Sequence, residues 1–243
     1  MPTILISGAA SGLGAAFLAA YHTHPSTTII ALDINPITTP TPSPRHSTIH
    51  PHHLDITNPT SLTTLSHHLA QTPIDLVIHA AGTRGLVPPL SSQNAATCEN
   101  LHVMDPATLT QTFHTNAVGT FLLLRTLRPN LLLARDPKVV VMSSRMGSLG
   151  NNAAGVRDAG GAYAYRASKA ALNAVVRSFV VDVPEVVFVL CHPGRVETGL
   201  VRWREEGAIA AEESVRGLLP LIERWGREDS GKFYDRFGVE IPW

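Results

Sequence analysis

The stretch Thr3-Ile-Leu-Ile-Ser-Gly-Ala-Ala-Ser-Gly-Leu-Gly14, at the start of the chain, decides the fold. Its first five residues form an apolar run typical of a buried strand, and an alanine-rich helical stretch follows to about Tyr21. Gly8, Gly12 and Gly14 permit a tight turn between the two and let a pyrophosphate approach the backbone. The N–H groups at the start of the helix would face that phosphate. The alternative, an ordinary glycine-rich loop, is disfavoured by this spacing between a strand and a helix.

Apolar runs and helical stretches alternate along the rest of the chain. Further strands are predicted at Thr28–Asp33, Pro73–His79, Val139–Ser144, Glu185–Cys191 and Gly231–Asp235, and His53–Thr57 is interpreted as the end of a third strand. Helices are predicted at Thr60–Gln71, Pro106–Arg135, Ala167–Val181 and Glu212–Trp225, with residues 202–213 partly helical. Strands that alternate with helices form parallel sheets. Because no repeat or linker interrupts the pattern, we predict one α/β domain over residues 1–243, a Rossmann-type doubly wound parallel sheet.

Residues 35–53 are unusual because they carry many prolines among Thr, Ser and His residues. The prolines are Pro36, Pro40, Pro42, Pro44 and Pro51. A helix cannot run through this density of proline, so an extended, polyproline-like excursion is predicted. The nearby histidines, at positions 50, 52, 53, 67 and 68, raise the hypothesis of a metal site. No cysteine accompanies them and their spacing does not match a helix-borne pair, so a solvated surface is favoured and no metal is predicted.

Composition limits the classes of partner and location. Lysine plus arginine and aspartate plus glutamate both number 19, so no overall charge would recruit nucleic acid or an anionic membrane. Cys98 and Cys191 lie far apart without a CxxC pattern, which indicates a reducing compartment and no disulfide framework. No signal peptide or membrane span is recognisable. We therefore expect a cytoplasmic protein.

Tyr165 and Lys169 form the candidate catalytic pair. They are four residues apart and would share one face of a helix, while Ser144 ends the preceding strand. These groups can move a proton to or from a carbonyl oxygen, because a lysine cation beside a phenol favours the phenolate. For an isolated match, a half-buried tyrosine with a solvated lysine would be the ordinary interpretation. The other motifs in the chain argue against it here.

Asp33, at the end of the second strand, indicates which dinucleotide is preferred. Its carboxylate could accept both hydroxyls of an adenosine ribose, and it would repel a 2′-phosphate. NAD is therefore favoured, and NADP stays open because Arg45 could swing back from the proline-rich segment. The alternative is that Asp33 only caps the following turn.

Taken together, the motifs resemble those of the short-chain dehydrogenase/reductase family from end to end. The matching residues are Gly8, Gly12, Gly14, Asp55, Ala81, Gly82, Asn116, Ser144, Tyr165, Lys169, Pro193, Gly194, Val196 and Thr198, in the family's order. Ser143–Ser148, Tyr165–Asn173 and the ending Ile241-Pro-Trp243 are most similar to C-factor and sniffer-type carbonyl reductases.

The resemblance implies hydride transfer between a nicotinamide cofactor and a small-molecule carbonyl or alcohol. It implies that Tyr165 is the acid/base, that Lys169 binds the nicotinamide ribose and lowers the tyrosine pKa, and that Ser144 holds the carbonyl. Asn116 would support a water-mediated proton relay. The expected cofactor-binding residues are Gly8, Ser11, Gly12, Leu13, Gly14, Asp33, Ile34, Asp55, Ile56, Ala80, Ala81, Gly82, Tyr165, Lys169, Pro193, Gly194, Val196 and Thr198.

The chain departs from the family in three places. Ala80 replaces the usual asparagine, and the proline-rich run replaces the helix expected after Asp33. The spacing between Ser144 and Tyr165 is longer than is common, which leaves Tyr163 as an alternative acid. The position of Lys169 favours Tyr165 as the acid, because Tyr163 is six residues from the lysine and would lie on another face of the helix. We expect residues 149–160 to form a surface excursion beside the substrate mouth.

The resemblance leaves some properties open. A segment at about residues 195–213, with Trp203, is expected to cover the substrate, whose identity the sequence does not reveal. A homodimer or homotetramer is compatible with the small-residue face around Lys169, and so is plain intramolecular packing. The alternative function is a dinucleotide-binding signalling or regulatory protein without turnover. The presence of all four catalytic residues favours an enzyme.

Overall fold

A computed structural model of the chain describes residues 1–39, 46–90, 94–156 and 159–243. Within them, parallel strands form one sheet in the order β3-β2-β1-β4-β5-β6-β7. The strands are β1 (Thr3–Ser7), β2 (Thr28–Asp33), β3 (Thr48–His53), β4 (Leu76–His79), β5 (Lys138–Met142), β6 (Val187–His192) and β7 (Phe233–Asp235). The predicted doubly wound parallel sheet is confirmed.

Helices cover both faces of this sheet. They are α1 (Gly12–His22), α2 (Pro59–His68), the short α3 (Ala95–Cys98), α4 (Pro106–Phe113), α5 (Gly119–Leu131), α6 (Tyr163–Asp182) and α7 (Ala211–Arg224). A π-helical turn, His114–Val118, joins α4 to α5. Helices α1 and α7 pack against one face of the sheet, and α2, α5 and α6 pack against the other.

The central strands are mostly apolar, as expected for strands with both faces buried. In β1, Leu5 belongs to the core beneath α2, α5 and α6, whereas Ile4 and Ile6 belong to the core beneath α1 and α7. This alternation follows from the two-residue period of a strand. Continuous β-branched runs are therefore the expected signature of such a sheet.

The third strand lies earlier than predicted. We predicted that His53–Thr57 is the end of this strand, but β3 occupies Thr48–His53 and the chain turns away after it. Pro51 lies within β3, which is tolerated because β3 is the edge strand of the sheet. Part of the expected polyproline-like excursion is thus a strand. Pro40, Pro42, Pro44 and Arg45 lie outside the described residues.

Other element boundaries also differ from the prediction. Helix α6 begins at Tyr163 rather than Ala167, so Tyr163, Tyr165 and Lys169 all lie on one helix. The segment before α7 is not helical until Ala211. None of the helices in the described part of the chain has the length and apolar character needed to cross a bilayer.

Candidate active site

A cleft lies at the carboxyl ends of the parallel strands. It has a volume of about 420 Å³ and is lined by the segments that follow β1, β2, β4, β5 and β6. The strand order reverses between β1 and β4, and ligands bind at such a switch point in open α/β sheets. The predicted cofactor residues line this cleft: Gly8, Ser11, Gly12, Leu13, Gly14, Asp33, Ile34, Asp55, Ile56, Ala80, Ala81, Gly82, Tyr165, Lys169, Pro193, Gly194, Val196 and Thr198.

The turn between β1 and α1 has the shape needed to hold a pyrophosphate. Gly8 has a φ of +73°, and a Cβ there would lie 2.8 Å from the backbone nitrogen of Ala81. A Cβ on Gly14 would collide with the carbonyl oxygen of Gly8. The N-terminus of α1 has no side-chain cap from Ser11, so its N–H groups remain available to an anion. These residues fit the diphosphate of a nicotinamide dinucleotide.

The other end of the cleft carries two carboxylates. Asp33 accepts hydrogen bonds from the N–H groups of Ala10, at 2.9 Å, and Asn35, at 2.8 Å. It therefore braces the turn, as the alternative interpretation held, and also lines the cleft. Asp55 accepts from the N–H and the hydroxyl of Thr57, at 2.8 and 2.7 Å. Both carboxylates are held in fixed positions, because backbone N–H groups bind them.

Tyr165 lies at the centre of the cleft wall. Its residue surface is 7% exposed, whereas Tyr163, the alternative acid, is 40% exposed and does not line the cleft. The Tyr165 side chain is hydrogen-bonded to that of Ser144. The Nζ atom of Lys169 lies 5.7 Å from the centre of the Tyr165 ring and donates to the carbonyl oxygen of Met142 at 2.9 Å. Tyr165, rather than Tyr163, thus lies beside both Ser144 and Lys169.

Burial perturbs both members of this pair. It raises the pKa of Tyr165, and the charge of Arg84 and the hydrogen bond with Ser144 oppose that rise. Burial also lowers the pKa of Lys169 to about 8. We expected Lys169 to lower the tyrosine pKa, but in this structure Arg84 is the nearby cation that most opposes the effect of burial.

Asn116 lies behind the cleft wall, inside the π-helical turn. Its Oδ1 atom accepts from the N–H of Thr83 at 2.8 Å, and its Nδ2 atom donates to the carbonyl of Thr83 and the hydroxyl of Ser168, both at 2.9 Å. The amide therefore joins the segment after β4 to α6. A proton relay through Asn116 stays a prediction.

A buried polar chain connects Asn116 to β1, and the sequence analysis missed it. Burial, with the charge of Lys169 adding to it, lowers the pKa of His79 to about 3, so the ring is neutral. The Thr120 hydroxyl donates to the carbonyl of Asn116 at 2.6 Å, so it accepts from Nε2 of His79 at 2.8 Å. Nδ1 of His79 then accepts from the Ser7 hydroxyl at 2.7 Å. Each hydrogen bond in this series is donated in the direction of Asn116, and the series holds β1, β4 and α5 in register.

Arg84 is the second group that sequence reasoning missed. It follows β4 and lines the cleft, and its guanidinium lies 4.9 Å from the centre of the Tyr165 ring. Two hydrogen bonds, of 2.9 and 2.8 Å, join it to the carboxylate of Glu99, and Glu205 lies 4.0 Å away. An arginine that follows a predicted strand among small residues was the available signal.

The described residues of the insert before Tyr165 do not line the cleft. Leu149 is 73% exposed, as expected for an excursion, and the N–H of Gly150 donates to the carbonyl of Trp243 at 2.9 Å. The position of the insert beside the substrate mouth stays a prediction. Arg157 and Asp158 lie outside the described residues. Val196, Leu200 and Glu205 are among the residues of the predicted covering segment that line the cleft. Trp203 lines an adjoining hollow, which Glu205 also lines.

Comparison with known proteins identifies the family. A family profile described as short chain dehydrogenase matches residues 2–208. The chain belongs to the short-chain dehydrogenase family. It is 39% identical to C-signal from Myxococcus xanthus over 173 residues, which cover 70% of this chain and 93% of that protein.

Solved structures with this dehydrogenase fold cover the full length of the chain. Carbonyl reductase Sniffer of D. melanogaster has a TM-score of 0.80 and 24% identity, with 100% of both chains covered. NADPH-bound carbonyl reductase from chicken fatty liver has a TM-score of 0.78 and 22% identity, with 100% of this chain and 99% of that chain covered. As a short-chain dehydrogenase, the protein is an NAD(P)-dependent oxidoreductase that acts on a small molecule.

The buried Lys169 of this dehydrogenase should cost stability. Its pKa falls from 10.5 to about 8, so between these pH values the unfolded chain binds more protons and the free energy of unfolding rises with pH. Below about pH 8 the folded protein carries the full cost, which is about 3 kcal/mol at 1.36 kcal/mol per pKa unit. A substitution that removes the lysine also removes its hydrogen bond to Met142, and this loss offsets about 1 kcal/mol of the stability regained.

We therefore expect Lys169→Met to raise the free energy of unfolding near neutral pH by about 2 kcal/mol. The gain should shrink as the pH rises from about 8 towards 10.5. Urea unfolding at several pH values measures it. Lys232→Met, outside the cleft, serves as the control. A Lys169→Met protein less stable than the wild type throughout this range would contradict the expectation.

Proposed function

We propose that the protein reduces a carbonyl group of a small molecule, or oxidises the matching alcohol, with Tyr165 as the proton donor or acceptor. The observation that carries the proposal is the position of Tyr165, buried in the cleft wall, hydrogen-bonded to Ser144 and close to Lys169 and Arg84. A bound nicotinamide dinucleotide supplies or accepts the hydride. The residues of the chain then position the substrate and move the proton.

In the reducing direction, each residue has a distinct role. The Ser144 hydroxyl donates a hydrogen bond to the substrate carbonyl and orients it towards Tyr165. The phenol of Tyr165 gives its proton to the carbonyl oxygen, and the resulting phenolate is later reprotonated from solvent. Lys169, charged below about pH 8, stabilises that phenolate. Asn116 keeps the segment after β4 against α6, so that the cleft wall holds its shape.

We further propose that residues 1–243 act as one domain and that residues 195–213 cover the substrate. Glu205 supports this role because it lies at the cleft wall within 4.0 Å of Arg84. A homodimer or homotetramer would place the exposed Leu109, Phe113 and Phe121 of α4 and α5 in an interface. Light scattering of the purified protein would show a monomer if that assembly is absent.

NAD is proposed as the preferred cofactor, although the chicken carbonyl reductase binds NADPH. Around the adenosine end the cleft is lined by Asp33, Ile34, Asn35, Leu54 and Asp55, and none of these carries a positive charge. A 2′-phosphate within about 4 Å of the Asp33 carboxylate would cost roughly 4 kcal/mol at an effective dielectric of 20. Arg45, which could offset this repulsion, lies outside the described residues.

The wild type should bind NADH more tightly than NADPH, so the ratio of the NADPH dissociation constant to the NADH dissociation constant should be high. Asp33→Ala should lower or invert this ratio. Dissociation constants for both cofactors, measured at matched salt by fluorescence titration, test this. Asp136→Ala, which removes an exposed carboxylate outside the cleft, should leave the ratio unchanged. A wild type that prefers NADPH would show that Asp33 does not select against the phosphate.

A second candidate function is a dinucleotide-binding signalling protein without turnover. The observation in its favour is the 39% identity to a protein named C-signal. A panel of carbonyls and alcohols, assayed with NADH, NADPH and their oxidised forms, separates the two functions. Turnover of any panel member that depends on Tyr165 supports the enzyme. Cofactor binding with no turnover across the panel supports the signalling protein.

A further inference from the structure

The pair formed by Arg84 and Glu99 is the strongest unassigned feature of the cleft. The Arg84 and Glu99 side chains are only 12% and 6% exposed. Nε and Nη2 of Arg84 donate to the two carboxylate oxygens of Glu99 at 2.9 and 2.8 Å. Two parallel bonds fix a planar guanidinium in orientation as well as in position. Glu99 therefore determines where the charge of Arg84 lies.

The fixed guanidinium lies against the proposed proton donor. Its central carbon is 4.9 Å from the centre of the Tyr165 ring, closer than the 5.7 Å of the Lys169 ammonium. We propose that Arg84 is a positioning residue for Tyr165: a second cation, besides Lys169, that Glu99 holds against the phenol and that stabilises its ionised form. This inference rests on the proposed function, in which Tyr165 passes through that ionised form.

The charges around Tyr165 raise or lower its pKa according to their sign. Burial raises its pKa, and Arg84 is the group that most strongly lowers it, followed by the hydrogen bond with Ser144. Glu205 and Glu99 raise it. Lys169 is a further cation close to the ring. The two members of the buried pair thus influence Tyr165 with opposite signs, although they are joined by hydrogen bonds.

These opposite signs separate an electrostatic role from a purely structural one. If the pair only supported the cleft wall, removing either member would loosen the same contact and disturb Tyr165 in the same direction. If Arg84 acts through its charge, Arg84→Met should raise the pKa of Tyr165. Glu99→Gln keeps an amide oxygen that can accept a hydrogen bond from Arg84 and removes only the negative charge, so it should lower that pKa. A charge at this range typically moves a pKa by about one unit or more.

The experiment is an alkaline titration of tyrosine ionisation, followed by absorbance. Each variant is titrated with and without Tyr165→Phe, so that the difference isolates Tyr165. We expect Arg84→Met to shift the Tyr165 step upward by about one pH unit and Glu99→Gln to shift it downward by less, because Glu99 influences Tyr165 less than Arg84 does. Arg125→Met is the matched control, because Arg125 also lies over an aromatic ring, that of Phe121, and outside the cleft.

A double variant keeps the test interpretable if Arg84→Met alone fails to fold. Arg84→Met leaves Glu99 buried without its partner, whereas Arg84→Met combined with Glu99→Gln leaves no unpaired charge. The double variant should shift the step upward by less than Arg84→Met alone. In the alcohol-oxidising direction, the pH at which kcat/KM rises should follow the same order, and a structural defect alone would not produce that order.

The inference fails if Arg84→Met and Glu99→Gln move the Tyr165 step in the same direction, or if neither moves it relative to Arg125→Met. This outcome differs from failure of the proposed function, which is measured by the turnover of Tyr165→Phe alone. The titration reads the phenol directly and does not require a known substrate.

Discussion

Replacing Tyr165 by phenylalanine is expected to lower turnover by about 10²–10⁴-fold while fold and cofactor binding persist. The substitution removes the hydroxyl that bonds to Ser144, and it keeps the ring on which Arg84 and Lys169 lie. Steady-state kinetics with a substrate from the carbonyl panel measure the loss. Circular dichroism and the NADH dissociation constant show that the remainder of the protein is intact.

Tyr163→Phe is the matched control for this prediction. Tyr163 lies two residues away on α6 but is exposed and outside the cleft, so its loss should leave turnover unchanged. Full activity in Tyr165→Phe would show that another group supplies the proton. A large loss in Tyr163→Phe alone would establish the alternative acid that the long insert raised.

The second large effect is expected at Gly14, in the turn between β1 and α1. A Cβ there would collide with the carbonyl oxygen of Gly8 and lie 3.0 Å from the backbone nitrogen of Ala9. Backbone atoms cannot rotate out of the way, so Gly14→Ala should push α1 away from the turn. Such overpacking typically costs about 1–3 kcal/mol of stability. We expect a lower melting temperature and at least about tenfold weaker dinucleotide binding, the latter a loss of about 1.4 kcal/mol.

Gly226→Ala provides the control for Gly14→Ala. A Cβ on Gly226 would meet no heavy atom within 4 Å, so the same change in composition adds no collision. Calorimetry gives both the unfolding temperature and the dissociation constant. Wild-type dinucleotide affinity in Gly14→Ala would mean that the turn does not hold the diphosphate.

Local patterns in the sequence were sufficient to predict most of the sheet. Strands such as β5 are short β-branched runs buried on both faces, and such runs are typical of the strands of a parallel sheet. The prediction failed at β3, where Pro51 and three histidines made an edge strand look like a loop. An edge strand needs only one hydrogen-bonded neighbour, so its sequence is weakly constrained.

The cleft was predictable only where its residues belong to local motifs. Tyr165 and Lys169 are four apart on one helix, so their proximity follows from helical geometry. Arg84 meets Glu99 across 15 residues, and His79 meets Thr120 across 41. No periodicity relates such partners, because packing of separate elements brings them together. The buried polar contacts of the cleft therefore became visible only in three dimensions.

The burial of Lys169 has a consequence for protein engineering. Lys169 is expected to lower the stability of the folded chain at neutral pH, whereas the proposed mechanism requires it beside Tyr165. A library screened only for survival after heating is therefore expected to enrich variants that have lost this lysine and, by the proposed mechanism, the reaction with it. Selection for robustness in this enzyme must be paired with an assay of its catalysis.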